Sequence, residues 1–144
     1  MKHLMKHSHI ILFLTAVILS FKGIPAVDNL TSQELLEAQK KGVIIIDIRT
    51  PEEWIEQGTI SEVSKIMFFD QKRQPLVNEF MAEFQKLVTS KNQAFVLVCR
   101  TGSRTGVVTK YLDEKLGYSK ASHLEKGMKQ WLKDKHPVEI NNGH

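Results

Sequence analysis

The sequence predicts an α/β domain whose strands lie parallel in one sheet. Three observations lead there. First, apolar runs such as Val43-Ile44-Ile45-Ile46 and Ala94-Phe95-Val96-Leu97-Val98 lack the alternation of a one-sided sheet. Continuous runs of this kind mark strands buried on both faces. Second, segments with apolar residues three and four apart stand between them, as in Leu76, Phe80, Phe84, Leu87 and Val88, the period of an amphipathic helix. Third, the two patterns alternate along the chain, which favours a parallel sheet with right-handed crossovers. A chain of 144 residues, 42% hydrophobic and 25% charged, suits one domain with a real core.

Residues 1–26 read as a leader. Lys2 and Lys6 give a positive start, residues 10–21 an apolar centre, and Ala26 a small residue at the exit. That is the layout of a secretory signal peptide. The apolar centre is shorter than the roughly 20 residues a comfortable span needs. An uncleaved anchor is the alternative, because Ile24 stands where a small residue is preferred. Export to the periplasm is expected, with membrane contact only if the leader is retained. His3, His7 and His9 fall inside this segment, and no metal site is expected from them.

The domain proper is expected over residues 27–140, with a loose tail at 141–144. Residues 27–30 form a short first strand. Thr31 is placed to cap a helix, with Glu34 three positions on completing a capping box. Leu35, Leu36 and Ala38 give that helix an apolar side, and Gly42 ends it. Residues 43–46 are the second strand. Thr50-Pro51-Glu52-Glu53 opens the next helix with proline at its first position, where its missing N–H costs nothing; the helix stops near Gly58. Residues 65–69 read as a third strand and 70–74 as a polar loop. A helix follows over 75–88, then a turn at 90–93. Residues 94–98 are the most apolar strand. The helix over 103–116 turns Val108, Tyr111, Leu112 and Leu116 to the core and is capped by Gly117. A last strand at 119–123 and a helix at 127–133 complete the domain.

Charge narrows the partners. The chain carries 20 basic and 16 acidic residues. Three of the basic ones, Lys2, Lys6 and Lys22, belong to the leader, leaving a net of +1 for the rest. No basic stripe remains, so no nucleic-acid partner is expected.

The chemistry concentrates at Cys99, the only cysteine. It cannot form a crosslink within the chain, so it is buried, paired with another molecule, or chemically used. It ends the most apolar strand and heads the turn Cys99-Arg100-Thr101-Gly102-Ser103-Arg104-Thr105 before a helix. Cationic side chains and a helix N-terminus both favour the nucleophilic thiolate. Such a loop can also turn successive N–H groups inward to cradle an anion. Gly102 supplies conformational freedom there, Arg100 and Arg104 add charge, and Ser103 and Thr105 offer hydroxyls. Sites in open parallel sheets lie at the carboxyl ends of the strands. Asp47 and Cys99 both end strands, so both fall at that edge.

The Cys99–Thr105 turn resembles the active-site loop of the rhodanese family, Cys-x-x-Gly-x-Arg followed by Ser or Thr. Ile45-Ile46-Asp47-Ile48-Arg49-Thr50-Pro51-Glu52-Glu53-Trp54 resembles the family's first signature. Leu124-Glu125-Lys126-Gly127-Met128 with Trp131 and Pro137-Val138 is similar to its C-terminal segment. Together these run from about Leu30 to Glu139, one whole single-domain rhodanese. The resemblance implies a five-stranded parallel sheet flanked by helices.

It also implies sulfane sulfur transfer. The Cys99 thiolate would attack the outer sulfur of an anionic donor such as thiosulfate and release sulfite. The resulting persulfide would pass its terminal sulfur to cyanide or a thiol, including a thiol on an acceptor protein. No metal or organic cofactor is implied. Arg100, Thr101, Gly102, Ser103 and Arg104 would bind the donor, while Asp47, Arg49 and Thr105 would brace the loop. Trp54 and Trp131 are expected to pack, His123 to be structural or exposed, and one of Phe68 and Phe69 to be core. Two positions depart from the family pattern. Thr59 replaces a frequent histidine, and Lys126-Gly127 replaces paired glycines, which would place Lys126 charge at the pocket rim. The alternatives are a non-catalytic persulfide carrier or binding module, and a phosphatase or arsenate reductase. The last two typically have one more residue before the arginine, where this chain has Thr105.

Overall fold

The computed structural model describes residues 28–140; the expected leader and the tail at 141–144 lie outside the described residues. The elements are β1 (Asp28–Leu30), α1 (Ser32–Lys40), β2 (Ile44–Asp47), α2 (Pro51–Gln57), β3 (Ser64–Lys65), α3 (Val77–Leu87), β4 (Phe95–Val98), α4 (Ser103–Glu114), β5 (Ala121–Leu124) and α5 (Gly127–Lys133). The strands form one sheet in the order β1-β5-β4-β2-β3, and every neighbouring pair is parallel. The predicted five-stranded α/β architecture is the one observed.

Local sequence explains the starts of α1 and α2. The Thr31 hydroxyl accepts the Glu34 N–H at 3.3 Å, and the Glu34 carboxylate accepts the Thr31 N–H at 2.8 Å. Thr50 and Glu53 repeat this reciprocal cap on α2, at 3.4 and 3.0 Å. Each cap satisfies two N–H groups that the first turn of a helix leaves without partners.

The sheet separates two cores. Phe95 and Leu97 of β4 face one side with Phe80 and Phe84 of α3 and Val108 and Leu112 of α4. Val96 and Val98 face the other, with Leu35 of α1 and Met128 and Trp131 of α5. Period-two alternation along β4 therefore feeds both cores, which is why the strand reads as one unbroken apolar run. Cys99 continues the α3/α4 side.

Several boundaries differ from the predicted ones, and hydrogen bonds account for three of them. The third strand was expected over 65–69 but is regular only at Ser64–Lys65. It sits at the sheet edge, with a partner on one side only. Its chain still donates from Ile66 N to Asp47 O at 3.0 Å and from Phe68 N to Ile48 O at 3.2 Å while peeling away. α3 starts at Val77 rather than 75, because Pro75 is bridged antiparallel to Phe69 and Leu76 N donates to Phe68 O. β5 starts at Ala121 rather than 119, because Ser119 N is held by Lys91 O and Ala121 N closes a turn onto Tyr118 O.

Candidate active site

Cys99 follows β4 in the middle of the sheet, at the carboxyl edge, under the N-terminus of α4. Gly102 precedes that helix with φ of 89°, a left-handed conformation that glycine adopts without strain. The turn brings the Gly102 N–H to 3.2 Å from Cys99 Sγ. The Thr105 hydroxyl, one turn into α4, lies 3.4 Å from the same sulfur. Cys99 is fully buried.

The loop is fixed from the α5 side. Met128 N donates to Cys99 O and Lys129 N to Arg100 O, both at 2.9 Å. The backbones meet so closely that a Cβ on Gly127 would fall 2.5 Å from Arg100 C. A Cβ on Gly102 would fall 1.7 Å from Glu125 O. Two glycines, one in the loop and one at the start of α5, therefore permit the cradle to close.

Above the loop opens a pocket of about 1010 Å³. Arg100, Thr101, Ser103 and Arg104 line it, together with Phe69 and Lys129. Phe68 is the core partner of that phenylalanine pair. Arg100, Thr101 and Ser103 are exposed, and the Thr101 and Ser103 hydroxyls lie 3.1 Å apart. Lys126, expected at the rim, instead borders a separate depression beside Leu30 and Gln130. The turn into α5 carries its side chain away, and Lys129, three residues on, supplies the rim charge.

Arg104 is not free. Its guanidinium makes a bidentate pair with Glu53 of α2, at 2.6 and 2.8 Å. Burial pushes the Glu53 carboxyl up, but the Arg104 hydrogen bond, the Thr50 N–H and nearby arginine charge outweigh it, so the group sits below its ordinary value.

Asp47 and Arg49 form a buried ion pair at 2.7 Å. Arg49 also donates to Gly58 O at 2.7 Å and Gln57 Oε1 at 3.1 Å. The pair thus ties β2 to the end of α2, not to the Cys99 loop itself. Thr59, also buried, exchanges two backbone hydrogen bonds with Glu139. Trp131 lies in the core and donates to Pro137 O at 3.0 Å, while Trp54 is half-buried with Lys65 over its ring. Among the described residues no cluster of three or more His, Cys, Asp or Glu could hold a metal ion, and no helix is long and apolar enough to cross a membrane.

Sequence reasoning missed Glu53 as a site residue. Thr50-x-x-Glu53 has the capping spacing already noted at Thr31-x-x-Glu34, which points to the cap but not to the second partner. It also left Asn29 unmarked, whose side chain reaches His123.

A loop closing over a buried strand-end thiol, with arginines beside it, is the arrangement the family signature encodes. Residues 31–134 match the family profile described as Rhodanese-like domain, and the chain belongs to the rhodanese family. Among solved structures, a rhodanese-like domain protein from Staphylococcus aureus is 27% identical, with a TM-score of 0.55 over 78% of this chain and 97% of that one. Thiosulfate sulfurtransferase from Pseudomonas aeruginosa is 15% identical, with a TM-score of 0.63 over 78% of this chain and 20% of that one. A Rhodopseudomonas palustris protein described as a "possible tyrosine phosphatase" is 22% identical, with a TM-score of 0.55 over 78% and 85%. Comparison with the curated proteins finds no match.

Proposed function

We propose that this chain is a sulfurtransferase that carries sulfane sulfur on Cys99, from an anionic donor such as thiosulfate to cyanide or a thiol. One observation carries the reading. The only thiol of the chain ends the central strand and receives the Gly102 N–H at 3.2 Å beneath a helix N-terminus. That environment favours a thiolate. The same N–H and helix N-terminus suit the terminal sulfur of a persulfide, an anion of similar charge. Attack forms a bond from Cys99 Sγ to the donor's outer sulfur and breaks that sulfur's bond to the sulfite group, which leaves with the electron pair. A cyanide or thiolate acceptor then takes the outer sulfur and returns Cys99 as thiolate, a ping-pong cycle. Arg100 and Lys129 attract the donor, and Thr101 and Ser103 offer it hydroxyls at the pocket floor. Export to the periplasm accompanies this reading and rests on residues 1–26.

A second reading, a carrier or binding module without turnover, is favoured by the complete burial of Cys99 and by the neutralisation of Arg104 by Glu53. For a donor to reach Sγ, the exposed segment at 100–103 must move outward. The decisive measurement is thiocyanate formation from thiosulfate and cyanide by wild type and Cys99→Ser, beside hydrolysis of an aryl phosphate. Sulfur transfer lost in Cys99→Ser is the expected result. Equal rates in the two proteins would remove the enzyme reading and leave the carrier. Cys99-dependent phosphate release above sulfur transfer would instead assign a phosphatase.

A further inference from the structure

Behind the cradle, Thr105 and His123 form a chain of polar groups that the sulfur chemistry above does not use. The Thr105 hydroxyl lies 3.4 Å from Cys99 Sγ and 2.9 Å from His123 Nδ1. His123 Nε2 lies 2.7 Å from Asn29 Oδ1. Thr105 is fully buried and His123 nearly so. Three elements converge here: α4 supplies Thr105, β5 supplies His123, and β1 supplies Asn29.

The donors and acceptors fix a direction. Asn29 Oδ1 can only accept, so Nε2 carries the ring proton and Nδ1 presents its lone pair to Thr105. The Thr105 proton has two acceptors besides the sulfur, Gly102 O at 3.1 Å and Nδ1 at 2.9 Å. Directed to Nδ1, it leaves an oxygen lone pair facing the thiol, whose S–H can donate to it.

The geometry points to a proton path from Cys99 Sγ through the Thr105 hydroxyl to His123 Nδ1, with Asn29 setting the tautomer of the ring. His123 is then a positioning residue that forms the thiolate through Thr105. In the step, the S–H bond breaks and its proton binds Thr105 Oγ1. The former Thr105 proton binds Nδ1 in the same event. A thiol and a neutral imidazole become a thiolate and an imidazolium, with Thr105 unchanged and its new O–H aimed at the sulfur. No oxidant, metal or co-reactant is needed.

Burial lowers the pKa of His123: it keeps the ring neutral at rest and opposes the imidazolium that the step forms, while the negative charge of Glu125, just past the end of β5, favours it. The partners from β1 and α4, Asn29 and Thr105, are neutral. On the sulfur side, Arg104 of α4 is already paired with Glu53 of α2. A ring kept neutral can take the proton; acid that protonates Nδ1 closes the path.

The inference rests on Cys99 as the working nucleophile, but its test uses no sulfur substrate. Because the chain has one cysteine, thiolate absorbance against pH, referenced to Cys99→Ser, reports that sulfur alone. His123→Gln and Thr105→Val are each expected to move the thiolate midpoint up by about one unit, a roughly tenfold loss of thiolate below it. Thr105→Ser, which keeps the hydroxyl, is expected to retain the wild-type midpoint. The double variant His123→Gln/Thr105→Val is expected to match either single one, since both cut one path. A His123→Gln profile that superimposes on wild type overturns the inference, as does a double variant whose shift is the sum of the two. If His123→Gln does not fold, the Val and Ser substitutions at Thr105 decide: equal midpoints overturn the path. Failure of sulfur transfer in wild type would sink the sulfurtransferase reading and leave these profiles unaffected.

Discussion

At the scale of single residues, the site is a set of charges that neutralise one another before any substrate arrives. Asp47 neutralises Arg49, and Glu53 neutralises Arg104. Cys99 and Arg104 were legible in the sequence because they lie five positions apart in one loop, a local pattern. Glu53 was not, because it meets Arg104 across 51 residues of chain and only the tertiary fold brings them together. The asparagine that holds His123 was hidden for the same reason. Glu53 carries a pH consequence. Its carboxyl is depressed in the folded protein, with burial opposing and Arg104 and Thr50 prevailing. A depressed acid contributes stability that is fully present above its unfolded value, about 4.3. That contribution is lost as pH falls through the folded value. The urea midpoint of wild type is therefore expected to fall on acidification below about pH 4. Glu53→Gln should start lower at pH 7 and fall less steeply over the same range. Parallel curves for the two proteins would show that Glu53 does not contribute to the acid transition.

At the scale of elements, the sequence located every strand and helix, and its errors cluster at the sheet edge and at turns. β3 shrinks to two residues because an edge strand loses regularity where its single neighbour ends. α3 and β5 start late because Leu76 N is held by Phe68 O and Ser119 N by Lys91 O, bonds that no local pattern announces. The glycines divide in the same way. Gly117, past the end of α4, has φ of 76° and open space where a Cβ would go. Gly127 has φ of 58° and a Cβ position only 2.6 Å from Cys99 O. Gly117 read as a helix cap in the sequence and Gly127 as the start of the last helix, yet only the second holds the Cys99 loop. Gly117→Ala is expected to cost about 1–2 kcal/mol, the left-handed penalty alone. Gly127→Ala should cost about 3 kcal/mol or more, since α5 must back away from the loop carbonyls it caps. Urea unfolding of the two variants checks the ranking. Equal midpoints would mean that α5 and the loop yield easily to each other, contrary to the tight packing seen here.

At the scale of the whole molecule, two cores on opposite faces of one sheet hold the Cys99 loop between α4 and α5, so anything that binds the loop must be felt as global stability. The fold class was legible because buried parallel strands leave continuous apolar runs, whereas the depth of the thiol was not, because burial depends on how α5 and the 100–103 segment close over it. Residues 27–144 carry a net charge of only +1, so no long-range field draws anions in. On the proposed reading, an anion would be held by the local rim of Arg100 and Lys129 and by the Gly102 N–H. Arg104 already spends both guanidinium arms on Glu53, and Thr105, next along, is turned inward to His123. On the proposed reading, a phosphate, which needs a wide cradle and a free guanidinium, should fit this loop less well than thiosulfate, which presents one outer sulfur. A ligand that binds only the native state stabilises it by about 2.7 kcal/mol at a hundred times its Kd. At roughly 4 °C per kcal/mol for a domain of this size, that is a rise in Tm of about 10 °C. Thermal melts of Cys99→Ser, which binds without turning over, are expected to rise with thiosulfate and to rise less with phosphate at equal concentration and ionic strength. A larger rise with phosphate would reverse the order of the two anions and move the assignment from sulfur transfer to phosphoryl chemistry.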